Sequence, residues 1–466
     1  MTDALWTSAE IVAATGGRLA GAPFEAAGVA IDSRATGAGD LFVALPGERD
    51  GHDFIADARS RGASGALASR PGEGARVLVE DTLEGLRRMA AAARERAPGA
   101  RRGAVTGSVG KTSVTQAVRA GLALAGRAHG SVQSYNNHIG VPLTLARMPR
   151  DTERAVFEIG MNHAGEVAPL SRLVRPHAVA ITTIGAAHVE NFADGEAGVA
   201  RAKAEIFEGL ERGGAAILDA DSRWFDYLKG EARRAGAKPR TFGRGRQADA
   251  RLIRFAPARQ GASVSASIDG KPVEFPIRHA GAHWGPMSLC ALLLLRALDV
   301  DLETGVAALS DFAPLEGRGA ERQVWLPGGS FTLIDESYNA NPVSVAAALD
   351  TLGARRAAGR KIVVLTDMLE LGDEAPSLHA ALAAPIAAAG VDRVFCAGEL
   401  MVSLWDELAP ARRGTLARSA EELLLVLPDV PKPGDVVMVK GSKGSRAHAL
   451  AAALAALDIG REGGNG

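Results

Sequence analysis

Short apolar runs recur along the whole chain, and the pattern of the residues between them changes twice, near residue 100 and near residue 316. In about the first hundred residues, runs such as 41–45 are separated by Gly, Asp and Pro turns and lead to an Ala/Arg-rich stretch over 83–96. This pattern predicts a small domain of short strands and helices. Pro98 and Gly99 follow, and this dipeptide is typical of a linker.

The next part of the chain has longer α/β units. The runs 155–157, 178–181 and 215–218 are apolar throughout, which is typical of parallel strands buried on both faces. Residues 249–278 have a shorter, β-like pattern, and an apolar helix is predicted after Trp284. From about residue 316, further apolar runs alternate with predicted helices, which indicates a Rossmann-like domain.

The predicted fold is therefore α/β with three domains, over 1–99, 100–315 and 316–466. We expect a small mixed domain, a central P-loop ATPase-like domain with a parallel sheet, and a C-terminal Rossmann-like domain.

Composition narrows the class of protein. With 466 residues, 47% hydrophobic and 23% charged, the chain is globular and too long for a single core. A net charge of −1 gives no overall basic field for nucleic acid or anionic lipid.

The cysteines and the apolar segments bear on the compartment. Cys290 and Cys396 lie in apolar surroundings and are expected to be buried free thiols. Because neither a signal sequence nor a membrane span is evident, we expect a cytoplasmic protein without membrane insertion. We also expect a monomer, although the sequence does not fix the oligomeric state.

The strongest local motif is Thr-Gly-Ser-Val-Gly-Lys-Thr-Ser at 106–113, between a predicted strand and a helix over 111–125. Glycines allow backbone N–H groups to converge on phosphate, the lysine adds positive charge, and the threonine hydroxyl can reach Mg²⁺. An ordinary glycine-rich turn is the alternative. The residues predicted to bind the phosphates of a nucleotide here are Gly107, Ser108, Gly110, Lys111, Thr112 and Ser113.

This loop departs from the strict P-loop pattern, because Val105 stands where that pattern has glycine. The form Thr-Gly-x-x-Gly-Lys-Thr instead resembles the ATP loop of the Mur ligases and folylpolyglutamate synthases. The resemblance to Mur ligases continues through the segments 32–34, 41–47 and 50–54 of the first predicted domain. It implies that this domain binds UDP, with Ser33 and Arg34 as candidate contacts.

Within that family, three further segments are closest to the branch that adds a dipeptide. They are 135–142 (Tyr-Asn-Asn-His-Ile-Gly-Val-Pro), 158–166 and 336–342. The resemblance implies an ATP-dependent carboxylate–amine ligase that adds D-alanyl-D-alanine to UDP-N-acetylmuramoyl-tripeptide through an acyl phosphate. The product would be the pentapeptide precursor of peptidoglycan. Asn136, Asn137 and His163 are candidates to bind the muramoyl-peptide.

Three other functions stay open. The first is the sibling ligase that adds the third amino acid, although its usual Asp-Asn-Pro-Arg motif is absent. The second is a folylpolyglutamate-type ligase. The third is a nucleotide-gated binding protein without turnover. The sequence also leaves open whether the third peptide residue is diaminopimelate or lysine.

Metal binding is expected beside the phosphate loop. Glu158 and His188 each follow a predicted strand, where polar side chains of a parallel sheet converge, and with Thr112 they are candidate Mg²⁺ ligands. A strand-end ion pair or an ordinary polar histidine are the alternatives. The sequence alone suggests that Lys203 is a solvated helix lysine. The resemblance instead implies that Lys203 is carbamylated and helps to bind a second Mg²⁺.

The last group of candidates comes from the start of the third predicted domain. The resemblance implies that Arg318 contacts phosphate, whereas a surface linker arginine is the alternative. Asp335 or Glu336 is expected to face the nucleotide, together with Asn339, although Asn339 and Asn341 are also plausible helix caps. The family usually has His-Asn where this chain has His283-Trp284, so the adenine contact stays open.

A final basic loop, Lys-Gly-Ser-Lys-Gly-Ser-Arg at 440–446, resembles the family's terminal Lys-Gly-Ser loop. A solvated basic turn is the alternative.

Overall fold

The computed structural model describes residues 4–132, 134–185, 189–258 and 261–460. The first part of the chain forms a five-stranded sheet in the order β2-β7-β6-β5-β4, in which only β2 is antiparallel to its neighbour, and a small β1–β3 pair. Its strands are β1 (Trp6–Thr7), β2 (Arg18–Ala20), β3 (Glu25–Ala26), β4 (Gly28–Ala30), β5 (Asp40–Val43), β6 (Gly65–Ala68) and β7 (Arg76–Leu78). Its helices are α1 (Ser8–Thr15), α2 (Ile55–Ser60) and α3 (Thr82–Glu95).

A nine-stranded sheet follows, in the order β16-β15-β14-β13-β12-β11-β8-β10-β9. Its strands are β8 (Arg101–Thr106), β9 (Ala128–Gly130), β10 (Arg154–Glu158), β11 (Ala178–Ile181), β12 (Ala215–Asp219), β13 (Lys238–Gly243), β14 (Ala250–Pro257), β15 (Ala262–Ile268) and β16 (Lys271–Ile277). Its helices are α4 (Lys111–Ala125), α5 (Gly140–Ala146), α6 (Val167–Val174), α7 (Glu196–Ala204), α8 (Phe225–Arg234), α9 (Trp284–Ala297) and α10 (Leu302–Asp311). The pairs from β9 to β14 are parallel, and β14, β15 and β16 form antiparallel pairs.

The third sheet has the order β17-β18-β22-β19-β20-β21 and is parallel except for β17. Its strands are β17 (Ala320–Leu326), β18 (Gly329–Glu336), β19 (Lys361–Thr366), β20 (Arg393–Ala397), β21 (Arg413–Ala417) and β22 (Val436–Lys440). Its helices are α11 (Pro342–Gly353), α12 (Ala375–Ala380), α13 (Ala383–Ala388), α14 (Met401–Glu407), α15 (Ala420–Leu424) and α16 (Ala447–Ala455).

The predicted α/β fold is confirmed, and its physical basis is visible in the central strands. Val105 and Val156 pack into the core on one side of the nine-stranded sheet, whereas Ala104, Ala155 and Phe157 pack into the core on the other side. Successive side chains of a strand point to opposite faces, so a strand covered on both faces must be apolar throughout. Each large sheet is formed within one predicted domain, and the domain boundaries themselves stay predictions.

The connections bring two sets of strand ends together. In the central sheet, β8 lies between β10 and β11, and in the third sheet, β22 lies between β18 and β19. Ligands of open parallel sheets bind beyond the carboxyl ends of such strands, where the direction of winding reverses. Both sets of carboxyl ends border one cavity, which is described below.

Two other expectations concern the rest of the molecule. Cys290 and Cys396 are buried free thiols, as predicted, and burial raises the pKa of both. Among the described residues, no helix is long and apolar enough to cross a membrane.

Candidate active site

The phosphate loop follows β8 and is fastened to the end of β11. Gly107 has φ 148°, and a Cβ atom at this position would lie 1.9 Å from Thr182 Oγ1. The same hydroxyl donates a hydrogen bond to the carbonyl of Val109 at 2.5 Å. Gly110, at φ 86°, is the N-cap residue of α4. The first N–H groups of α4 therefore point out of the loop, where the positive end of the helix dipole favours an anion.

Two side chains at the start of α4 add to this anion site. Lys111 Nζ donates to the carbonyl of Gly107 at 2.8 Å, so it is held over the loop. Burial lowers the pKa of Lys111, the nearby Glu158 carboxylate opposes that effect, and Arg318 adds to it. The hydroxyls of Thr112 and Ser134 lie 2.9 Å apart.

Glu158 ends β10 beside the phosphate loop and is only 1% exposed. Its Oε1 accepts a hydrogen bond from Asn136 Nδ2 at 2.7 Å, whereas its Oε2 is buried without a hydrogen-bond partner among the described residues. An unpaired buried carboxylate oxygen is costly, and a cation would remove that cost. The described residues hold no group of three or more His, Cys, Asp or Glu side chains that could bind a metal by themselves. A cation here would therefore also need oxygen atoms from hydroxyls or from a bound phosphate.

Lys203 lies near the end of α7 and is 1% exposed, so the interpretation as a solvated lysine is wrong. Burial lowers its pKa well below the usual value, and the charge of Lys111 lowers it further. A lowered pKa favours the uncharged form of the amine. His188 lies outside the described residues.

The segment before β17 and the strand ends of the third sheet contribute a second set of charged groups. The Arg318 guanidinium lies 3.9 Å from the centre of the Tyr338 ring, and its Nη2 donates to Ser134 Oγ at 3.4 Å. Because Ser134 also contacts Thr112, a short chain of polar contacts joins the third sheet to the phosphate loop.

The neighbouring residues Asp335 and Glu336 have different environments. Asp335 accepts hydrogen bonds from the backbone N–H groups of Ser337 at 3.0 Å and of Gly317 at 3.1 Å, which fixes the connection into β17. Glu336 lines the cavity and lies 3.4 Å from Lys440 Nζ. Burial lowers the pKa of Lys440, and Glu336 opposes this effect. Of the two carboxylates, Glu336 is the one that can reach a ligand in the cavity.

These groups surround one cavity of about 570 Å³ between the central and third sheets. Its phosphate-loop side and its third-sheet side both carry cations. The predicted site residues that line it are Ser108, Gly110, Lys111, Thr112, Ser113, Asn136, Asn137, Glu158, Arg318, Glu336 and Asn339.

Comparison with known proteins places this arrangement in a family. Three family models match successive parts of the chain: the Mur ligase family catalytic domain at 25–102, the Mur ligase middle domain at 105–295, and the Mur ligase glutamate ligase domain at 322–443. A UDP-N-acetylmuramoyl-tripeptide–D-alanyl-D-alanine ligase of Rickettsia prowazekii is 32% identical over 89% of this chain and 92% of its own. The chain belongs to the Mur ligase family. It is an ATP-dependent ligase.

Two other comparisons agree with this assignment. The Escherichia coli ligase of the same name is 35% identical over 82% of this chain and 84% of its own. The crystal structure of MurF from Acinetobacter baumannii covers 97% of this chain and 99% of its own, with a TM-score of 0.84 and 27% identity.

Several predicted residues of this Mur ligase lie away from the cavity. His163 is exposed, and its backbone N–H donates to Glu166 at 3.3 Å. In the first sheet's domain, Arg34 is exposed and forms a bidentate pair with Asp32, at 3.0 and 2.6 Å, while Ser33 is buried. The structure therefore does not bring these three side chains to the phosphate loop.

Two residues of the Mur ligase that the sequence singled out, Asn341 and Trp284, have a structural role. Asn341 is the N-cap of α11 and forms a capping box with Ser344, so the helix-cap alternative is correct for this residue. Trp284 is 5% exposed, and its ring packs 3.7 Å from that of His279 and 5.8 Å from that of Phe312. Burial lowers the pKa of His279 to about 3, so this ring is neutral in the aromatic cluster.

Sequence reasoning missed other cavity residues of the Mur ligase, notably Ser134, Tyr338 and Glu370. Ser134 lies shortly after β9, and Glu370 lies shortly after β19. Their positions after parallel strands were the available signal, because such positions converge at the carboxyl edge of a sheet.

Proposed function

We propose that this Mur ligase joins D-alanyl-D-alanine to UDP-N-acetylmuramoyl-tripeptide in the cytoplasm, at the expense of ATP. The observation that carries the choice of substrates is the likeness to ligases of that name over nearly the whole of both chains. The cavity supports the chemistry, since it places a phosphate loop opposite further cations from the third sheet.

The reaction needs an activated carboxyl group, because a carboxylate does not react with an amine at neutral pH. Transfer of the ATP γ-phosphoryl group gives an acyl phosphate, and the amine of the dipeptide then displaces phosphate. The protein's task in phosphoryl transfer is to position the reactants and to stabilise charge on phosphate oxygens. We assign the charge stabilisation to Lys111 and Arg318, the contacts to phosphate to the backbone of 107–113, and nucleotide contacts to Glu336 and Asn339. Asp335 supports this side of the nucleotide site indirectly, because it accepts a hydrogen bond from the backbone N–H of Gly317, the residue before Arg318.

The donor set fits Mg²⁺. Thr112 and the unpaired Oε2 of Glu158 would hold one ion, while His188 and a carbamylated Lys203 would help to hold a second. Bound Mg²⁺ would neutralise charge on the transferred phosphoryl group. Lys203 suits carbamylation because burial lowers the pKa of its amine and so favours the uncharged form, which is the form that reacts with CO₂.

The UDP-tripeptide is proposed to extend from the first domain to the cavity. Ser33 and Arg34 are the proposed UDP contacts. Asn136 and Asn137 line the cavity and are proposed to contact the muramoyl-peptide, and His163 is proposed to do so from outside it.

A component-omission assay tests this function. Purified protein with Mg-ATP should release phosphate rapidly only when the UDP-tripeptide and the dipeptide are both present. Release with a single amino acid on a UDP-dipeptide would instead identify the sibling ligase, and release with a folate would identify a polyglutamylase. ATP binding without release under any condition would favour the nucleotide-gated binding protein.

A further inference from the structure

Thr182 lies at the end of β11, directly beside the start of the phosphate loop. Its side chain is completely buried, although it follows an apolar strand. In the central sheet, Ile181 of β11 pairs with Thr106, the last residue of β8, so the next residue of each strand leaves the sheet at the same level. A buried hydroxyl group needs a hydrogen-bond partner, and the partner that it takes fixes part of the structure.

The hydroxyl of Thr182 reaches across the loop. The backbone N–H of Thr182 donates to the carbonyl of Thr106 at 2.9 Å. Its Oγ1 lies 2.5 Å from the carbonyl oxygen of Val109 and 3.3 Å from that of Thr106. A hydroxyl group has one proton to donate. Because the Thr106 carbonyl already accepts from the backbone, the hydroxyl proton goes to the nearer oxygen, that of Val109.

This hydrogen bond sets the direction of the next N–H group. In a trans peptide, the C=O and the N–H point to opposite sides of the chain. With the carbonyl of Val109 directed at the end of β11, the N–H of Gly110 points away from that strand. Gly110 lines the cavity and is the N-cap residue of α4, where backbone N–H groups favour an anion.

The peptide between Val109 and Gly110 needs such a restraint more than the residue before it. Ser108 is fastened twice, because its N–H donates to the carbonyl of Thr183 at 2.7 Å and its hydroxyl donates to that of Gly185 at 3.0 Å. Rotation of the following peptide changes ψ of Val109 and φ of Gly110, and glycine accepts φ of either sign. The backbone itself therefore opposes this rotation only weakly.

We propose that Thr182 is a positioning residue of the ATP site, whose hydroxyl holds the Val109–Gly110 peptide so that the Gly110 N–H faces a phosphate oxygen. Without the hydroxyl, the Val109 carbonyl loses its partner, the peptide turns, and the N–H no longer contributes to phosphate binding. The inference concerns nucleotide binding by this ATP-dependent ligase. It does not depend on which amine the ligase joins to its substrate.

The test is Thr182→Val, which keeps the shape of the side chain and removes the hydroxyl. The dissociation constant of a non-hydrolysable ATP analogue with Mg²⁺ should rise about 10- to 100-fold, the effect of losing a hydrogen bond to a charged group. Thr182→Ser keeps the hydroxyl and should stay within about threefold of the native value. Adenosine lacks the phosphates and should bind equally to the native protein and to both variants. Calorimetric titration measures each constant.

The matched control is Thr144→Val. Thr144 is also buried, and its hydroxyl donates to the carbonyl of Gly140 at 2.8 Å within α5. This variant should bind the analogue with native affinity. If Thr182→Val does not fold, as judged by circular dichroism, Thr182→Ala replaces it in the same comparison.

Three results would overturn the role of Thr182. They are native affinity for the analogue without the hydroxyl, an equal loss of adenosine binding, and failure of Thr182→Ser to keep the affinity. The second would show that the substitution damages the whole site rather than its phosphate contacts. The proposed function is tested separately. If the native protein bound the analogue but released no phosphate from ATP with the UDP-tripeptide and the dipeptide, the proposed substrates would be wrong and the role of Thr182 would stand.

Discussion

At the scale of single residues, Lys203 shows a clear contrast: the sequence suggests a solvated lysine, whereas its side chain is buried in the structure. Its pKa is lowered first by burial and then by the charge of Lys111, which favours the uncharged amine, the form that can become a carbamate. We expect Lys203→Ala to lower turnover by at least about 10²–10³-fold, the usual loss when one stabilising group is removed. The measurement is phosphate release with all substrates and excess bicarbonate, which should not rescue the variant.

The control for Lys203 is Lys229→Ala on α8. Lys229 lies over the Phe225 ring at 5.0 Å and away from the active-site cavity, so its loss should leave turnover unchanged. Far-UV circular dichroism should show that both variants are folded. Full activity of Lys203→Ala would disprove the carbamate assignment.

At the scale of elements, the phosphate loop depends on one glycine. Gly107→Ala would place a Cβ atom 1.9 Å from Thr182 Oγ1, so the loop must move away from the end of β11. The displaced N–H groups then no longer converge, and we expect the ATP dissociation constant to rise by about 10- to 100-fold, equivalent to about 1.4–2.7 kcal/mol. Calorimetric titration with a non-hydrolysable ATP analogue measures this change.

Gly99→Ala is the matched control for the loop, because a Cβ atom there would meet no other atom within 4 Å. It should bind the analogue with native affinity. An unchanged affinity in Gly107→Ala would show that the loop does not set the position of the triphosphate.

The same element shows why part of the fold could be predicted. The α4 helix over 111–125 and the buried strands were predictable because their signals are local: a glycine loop, and apolar runs with no polar face. The contrast between Asp335 and Glu336 is not local. Adjacent strand residues point to opposite faces, and only the packing of β18 against the linker shows which one reaches the cavity.

Other parts of the site depend on long-range contacts that no single motif carries. Lys203 looked like a surface lysine because its helix has charged neighbours, whereas in the fold it is 1% exposed and its helix neighbours Val199 and Ala202 belong to the core. Glu370 was missed because its only signal was its position after a strand, and no motif marks that position. The helix cap at Asn341 could be predicted, since Asn-Pro at a helix start is a local signal.

At the scale of the whole molecule, the active site exists only where two domains meet. Arg318 is one side chain that joins them, over the Tyr338 ring on one side and at 3.4 Å from Ser134 on the other. A bound triphosphate should therefore slow hydrogen exchange in two separate segments, the phosphate loop at 107–113 and the basic loop at 440–446. In Arg318→Ala, we expect protection of 107–113 to persist, because its own N–H groups bind phosphate. Protection of 440–446 should fall at least about tenfold, the effect of losing roughly 1.4 kcal/mol of coupling. Hydrogen exchange followed by mass spectrometry, with a non-hydrolysable ATP analogue and Mg²⁺, measures both segments in one sample.

The control is Arg322→Ala on β17, an exposed position outside the cavity, which should behave like the native protein. If both segments stay protected in Arg318→Ala, other contacts between the domains carry the coupling; if both lose protection, Arg318 is needed for nucleotide binding itself.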